Sequence, residues 1–205
     1  MTRAVVPFYF GLGSRYSYLA ATQLEQIAAR HECRFEWLPL QSGELIRRAN
    51  QGRSPFDGEP ISGQYDWSYR RRDAEAWARL YQVPYKEPGD LGTDASDLAK
   101  ACWIAEPTGK LVDMSWKIFH ALFVDGRGIT RTVLGELAAE IGLDGSGLVA
   151  ALDAPDISAK HEATLSGAIE DGVFGVPSFV VGGQVFWGND RLPLVEQAIR
   201  DIASD

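Results

Sequence analysis

Two hydroxyls, Ser14 and Ser17, stand three residues apart in the stretch GLGSRYSY (11–18), between the apolar run VVPFYF and the helical pattern LAATQLEQIAAR. Ala20, Leu24, Ile27 and Ala28 recur with helical spacing, so Ser14 falls at the N-cap of a helix and Ser17 in its first turn. That first turn has unpaired backbone N–H groups and the positive end of the helix macrodipole. An anion brought to Ser14 is therefore stabilised, although a plain capping role also accounts for a serine at this place.

The other groups capable of chemistry do not cluster. Cys33 and Cys102 are far apart, in segments that read as strand and helix, whereas a redox pair or metal site has closer spacing; both read as small buried apolar residues. His31, His120 and His161 share no ligand spacing with one another or with carboxylates, and no metal is expected. The net charge of −8 argues against a phosphate-binding surface and nucleic-acid partners. The one basic cluster, Arg70-Arg71-Arg72, is too short to reverse this and reads as a solvated helix face. No segment reaches the roughly 20 apolar residues of a membrane span, and no small-residue cleavage site follows the N-terminal apolar run, so a soluble cytoplasmic protein with no membrane partner is expected.

The elements that position the hydroxyls follow from periodicity. VVPFYF reads as a buried strand with an irregularity near its start at Pro7, and CRFEWLPL (33–40) as a second, with Cys33, Phe35 and Trp37 on one side. The opening is thus β-α-β. Helical faces then appear at Ala74, Trp77, Ala78, Tyr81; at Leu98, Ala101, Cys102, Ala105; at Leu111, Met114, Ile118, Ala121, Leu122; at Leu134, Leu137, Ala138, Ile141; and in DISAKHEATLSGAIEDG (156–172). The stretch from Asn50 to Ser62 holds too many Gly and Pro residues for regular structure and reads as a long loop. VPSFVV, Gly182-Gly183 and QVFW form a hairpin with a turn that needs positive φ, and a last amphipathic helix carries Leu192, Val195, Ile199 and Ile202, with Asp190 as a candidate N-cap.

With 45% hydrophobic residues, a chain of 205 buries about 70% of its unfolded surface without disulfides. The pattern β-α-β, helical block, β-β-α closes into one four-stranded mixed sheet carrying an inserted helical domain: an α/β core from 1–41 and 171–205, with 42–170 inserted. FYFGLGSRYSYLA, NQGRSP, RLYQVP and VFGVPSFVVGGQVFWGNDRL together resemble 2-hydroxychromene-2-carboxylate isomerase and the related kappa-class glutathione transferases, thioredoxin-fold proteins of the disulfide-oxidoreductase (DsbA) type. The resemblance runs almost end to end, and its last stretch is the most specific.

The resemblance implies roles. Oxidoreductase relatives hold a Cys-x-x-Cys pair at this turn; here it is Ser14-Arg15-Tyr16-Ser17, which rules out protein thiol redox chemistry there. In the isomerase and kappa branches a serine at the place of Ser14 hydrogen-bonds the thiol of glutathione. Lowering a thiol pKa from about 8.5 to about 7 takes roughly 2 kcal/mol. A hydrogen bond to a charged acceptor contributes about 1.5–3 kcal/mol and a helix N-terminus about 0.3–1. Val176-Pro177 matches the family's cis-proline turn, whose backbone pairs the cysteinyl unit. Asn189 and Asp190 match the pair that binds the γ-glutamyl group, and Asn50 lies where the family has an asparagine near the glycyl end. Ser17 reads as structural, whereas Tyr16 and Tyr18 either line the pocket or pack between sheet and helices.

The chain departs from the family at Gly11 and Arg15, where the family has an acidic residue and a proline, and at Asp66, where it has the lysine that pairs the glycyl carboxylate. Either Arg15, Arg53 or one of Arg70 to Arg72 takes over, or the cofactor is another low-molecular-weight thiol. The implied activity is a glutathione-dependent isomerase of aromatic catabolism acting on an aromatic-derived unsaturated ketoacid. The alternatives are a kappa-like transferase or peroxidase and a non-catalytic thioredoxin-fold binding protein; the family is commonly dimeric, which implies a homodimer.

Overall fold

Val6, Phe8 and Phe10 alternate with Pro7 and Tyr9 along a strand that places apolar side chains on two faces, and this sets the middle of the fold. The computed structural model describes residues 3–204. In it β1 (Val5–Phe10) lies between β2 (Arg34–Pro39), parallel to it, and β3 (Ser178–Val181), antiparallel; β4 (Gln184–Trp187) completes a mixed sheet of order β2-β1-β3-β4. Phe8 stacks on Phe10 at 4.8 Å and on Phe179 at 5.1 Å, and meets Trp37 edge-on at 5.3 Å. Tyr9 belongs instead to a smaller core with Leu40, Leu45, Leu165, Ala168 and Val173. Pro7 causes no irregularity. It keeps register opposite Glu36, and the β1–β3 ladder is confined to Phe8 and Tyr9, so the missing N–H falls outside that ladder.

The crossover helix α1 (Arg15–His31) joins β1 to β2 and buries Leu19, Ala20, Leu24 and Ile27. Between β2 and β3 run α2 (Ser42–Ala49), α3 (Trp67–Tyr81), α4 (Ala95–Ala105), α5 (Leu111–Phe123), α6 (Arg131–Glu140), α7 (Gly145–Ala151) and α8 (Pro155–Glu170); α9 (Leu192–Ser204) follows the hairpin. The expected helical faces lie in helices, except that Ile141 is the C-cap of α6 and the 156–172 segment leaves α8 after Glu170. Helices α2 and α7 were not expected, because each buries a single residue, Leu45 and Leu148, and a single residue makes no periodic face. The segment 50–62 forms neither helix nor strand. Gly182 and Gly183 take φ of 57° and 76°, the positive values the two-residue turn demands. One continuous core runs from Phe8, Phe10 and Phe179 through Leu24 of α1 to Leu98, Met114, Phe119 and Leu134 of the helical block. No helix among the described residues is long and apolar enough to cross a membrane.

His161 of α8 ties this block to the sheet. Its Nε2 accepts the Gln41 backbone N–H at 3.1 Å, just after β2, and therefore must stay unprotonated for the bond to persist. Burial, then Lys100 and Arg48, hold its pKa below the usual value, against the opposing pull of Glu162 and Asp94. The unfolded chain takes up this proton near pH 6.5 while the folded chain still refuses it. The stabilisation is thus complete above about pH 7 and is lost as pH falls from there toward the depressed folded value. Urea denaturation at pH 7.5, 6.5 and 5.5 should show the difference between wild type and His161→Gln narrowing with acidification; a constant difference would refute the assignment.

Candidate active site

Ser14 is the N-cap of α1: its backbone is extended, at φ −94° and ψ 116°, and its Oγ accepts the Ser17 N–H at 3.3 Å. A hydroxyl has one proton to give and two lone pairs to accept with. The cap uses an acceptor position and leaves the proton free to be donated elsewhere, so capping and ligand contact are compatible at Ser14. The first turn of α1 contains no acidic residue and begins with Arg15, so dipole and side-chain charge have the same sign. Ser17 is fully buried and its Oγ accepts the Gly11 N–H at 3.3 Å, a structural duty. Tyr18 is also core: its hydroxyl donates to the Pro84 carbonyl at 2.6 Å and its ring stacks on Phe123. Tyr16, in contrast, lines a cleft and donates to Asp73 at 2.7 Å.

Ser14 opens onto a cleft of about 410 Å³. One wall is α2, through Ser42, Ile46, Arg47 and Asn50; the loop and the start of α3 supply Phe56, Tyr65 and Trp67; the far side is Phe174, Val176 and Trp187. The aromatic rings support one another, Phe56 with Trp67 at 5.5 Å and Phe174 with Trp187 at 5.2 Å. A second cleft of about 370 Å³ adjoins it, sharing Arg70, Val176 and Trp187, and contains Pro177, Asn189 and Asp190. All six residues singled out in the sequence therefore gather around these two clefts: Ser14, Asn50 and Val176 at the first, and Val176, Pro177, Asn189 and Asp190 at the second.

Each is held by local structure. The Val176-Pro177 peptide is cis. Among the described residues the Val176 backbone N–H and C=O have no hydrogen-bond partner, while Pro177 C=O accepts the Gly188 N–H at 2.9 Å. Gly188, at φ 116°, turns the chain from β4 into a 3-10 turn, Asn189–Arg191, a conformation closed to most side chains. Asn189 is buried, and its carbonyl accepts the Tyr81 hydroxyl at 3.1 Å. Asp190 lies inside that turn, not at the N-cap of α9, and makes no capping bond among the described residues; its carboxylate sits 3.4 Å from Arg191. Asn50 ends α2, its Nδ2 donating to the Ile46 carbonyl at 2.8 Å.

Asp66 has a structural task. It caps α3, accepting the Tyr69 N–H at 2.9 Å and the Ser68 hydroxyl, and these bonds, Ser68 first, hold its carboxyl below the usual range. Among the cations weighed against it, Arg15 and Arg70 line the clefts, whereas Arg53, Arg71 and Arg72 do not. Arg70 corrects the sequence reading of 70–72 as a solvated face. Arg71 and Arg72 are exposed, but the Arg70 guanidinium is packed 4.9 Å from the ring of Phe56 and 5.0 Å from that of Tyr16. The aromatic walls were also missed. Trp67 stands seven residues before Ala74 and Trp187 two after Val185, so in the sequence each reads as the continuation of an apolar face.

Neither cysteine reaches the site. Cys33 and Cys102 are buried and unbridged, and burial pushes their thiols up, that of Cys102 to about 12.

A family model described as a DSBA-like thioredoxin domain matches residues 5–200. A 2-hydroxychromene-2-carboxylate isomerase of Sphingobium xenophagum is 31% identical over 205 residues, covering 98% of this chain and 100% of its own. Among solved structures, one of 2-hydroxychromene-2-carboxylate isomerase superposes with a TM-score of 0.83 at 23% identity, covering 97% of this chain and 96% of that one. The cytosolic disulfide reductase DsbM of Pseudomonas aeruginosa with GSH gives 0.65 at 18% identity, covering 98% of each.

Proposed function

This chain belongs to the DSBA-like thioredoxin family, in the line of the 2-hydroxychromene-2-carboxylate isomerases, and we propose that it is a thiol-dependent isomerase acting on a 2-hydroxychromene-2-carboxylate-like unsaturated ketoacid in aromatic-compound catabolism. The observation that carries the thiol dependence is Ser14: a hydroxyl with a free proton, on a helix N-terminus, in an aromatic cleft that contains no cysteine.

The residues present fit glutathione. Ser14 lines the first cleft with a proton available to a sulfur, the unpartnered Val176 peptide groups suit a cysteinyl backbone, and the Asp190 carboxylate beside Asn189 suits an ammonium. Bound there, glutathione or another small thiol would supply a nucleophile able to add reversibly to a conjugated double bond and so permit rotation about it. The chain's own share is electrostatic and geometric. Ser14 and the first-turn N–H groups of α1 hold negative charge at one point. Phe56, Trp67, Phe174 and Trp187 offer flat walls to a planar conjugated acid and restrict water around it.

The test is turnover of 2-hydroxychromene-2-carboxylate with and without glutathione. Equilibration should accelerate only when protein and thiol are both present. Equal rates with and without thiol remove the thiol dependence; no acceleration under either condition, with conjugation of a model electrophile, moves the protein to the transferase reading.

A further inference from the structure

Among the described residues, two buried side-chain nitrogen or oxygen atoms have no hydrogen-bond partner: Nη1 of Arg15 and Nε of Arg70. Both belong to arginines that line the same cleft. Other arginines on this chain are held by carboxylates: Arg131 by Asp97 and Asp153, Arg48 by Glu44 and Glu162, and Arg30 by Glu196. Arg15, only 11% exposed, pairs with Glu87 through its other terminal nitrogen. Arg70 has a single long bond, from Nη1 to the Gln64 carbonyl at 3.4 Å. The two guanidinium groups approach the same ring, that of Trp67, at 5.2 and 5.9 Å.

Two like charges on one indole, each with an unused donor sheltered from water, form an arrangement that a shared anion would complete. We infer that Arg15 and Arg70 together form a carboxylate receptor in the cleft, with Trp67 as its floor. The planar fork of arginine matches a carboxylate, and the surrounding Phe56, Tyr16 and Trp67 rings favour one carried on a flat or slender molecule. Nearby Asp73 and Glu87 disfavour a more highly charged group such as a phosphate. This deepens the isomerase reading, on which it rests for the ligand classes: the carboxylate comes either from the aromatic acid or from the glycine end of the thiol.

Binding of four probes distinguishes these. Chromone-2-carboxylate and its methyl ester represent the unreactive aromatic acid; glutathione and its glycyl ethyl ester represent the thiol. Tryptophan fluorescence, sensitive here through Trp67 and Trp187, reports each affinity without turnover. In one pair the acid should bind the wild-type protein about 10- to 100-fold more tightly than the ester, the range expected for a charge-assisted hydrogen-bonded pair. Arg15→Gln and Arg70→Gln should both bring that ratio close to one. Discrimination in the chromone pair assigns the carboxylate to the substrate, and in the thiol pair to glycine. The wild-type ratios need no variant, so the proposal stays testable if Arg70→Gln fails to fold. No binding, equal binding of acid and ester in both pairs, or full discrimination retained by the variants overturns it. A wild-type protein that discriminates charge but turns over no substrate would sink the isomerase reading and leave the receptor standing.

Discussion

Ser14→Ala is expected to lower kcat/KM by roughly 10²-fold at neutral pH while the protein stays folded. In the proposed mechanism the hydroxyl donates one charge-assisted hydrogen bond, about 1.5–3 kcal/mol, and losing it also lets the bound thiol drift back toward its free pKa of about 8.5. The structural cost is small, because the capping bond to the Ser17 N–H is already long at 3.3 Å; about 0.5–1 kcal/mol of stability is at stake. A pH profile separates the two contributions. If Ser14 acts by holding charge on sulfur, activity of the variant recovers in part as pH rises past about 8.5, where the thiol ionises unaided. If the variant instead lost activity through a disordered helix start, alkaline pH would not restore it. Unchanged turnover at pH 7 removes Ser14 from the mechanism.

Phe8→Ala should cost about 3–5 kcal/mol, the range for emptying a large aromatic site in a packed core. Phe8 is fully buried in the central strand and contacts Phe10, Trp37 and Phe179, which come from three strands, so little of its volume can be refilled by one neighbour's shift. For a chain of this length the melting temperature should fall by roughly 6–20 °C. Val5, 41% exposed at the start of the same strand, provides the control, since truncation there should cost far less. A Phe8→Ala midpoint within the scatter of Val5→Ala would show that the aromatic stack does not hold the sheet together. Because β1 leads directly into Gly11 and the Ser14 cap, this variant is also expected to lose activity at temperatures where it is still mostly folded.

The fold was legible where burial is periodic. The strands, the glycine hairpin and the long helices announce themselves because each has an apolar face that the chain has to hide. Helices α2 and α7 escaped notice because they bury only Leu45 and Leu148 and are otherwise held by their neighbours. This mattered, since α2 forms one wall of the cleft. Ser14 could be picked out from local chemistry alone, as a hydroxyl at a strand-to-helix handover. Asn50, Val176, Pro177, Asn189 and Asp190 were named only through resemblance; nothing in their own neighbourhoods says that residue 50 and residue 189 belong to adjoining hollows. Arg70 shows the opposite failure. A run of three arginines looks solvated in one dimension, and only the fold brings Phe56, from a loop without periodicity, onto the first of them.

The burial of Cys33 and Cys102, together with hydroxyls in place of sulfur at residues 14 and 17, gives the protein an unusual immunity. Peroxides and alkylating agents find no cysteine among the residues that line the candidate site. Under the proposed thiol dependence, what they consume is the diffusible partner, which is replaceable, so oxidative damage registers as a shortage of reagent rather than as a dead catalyst.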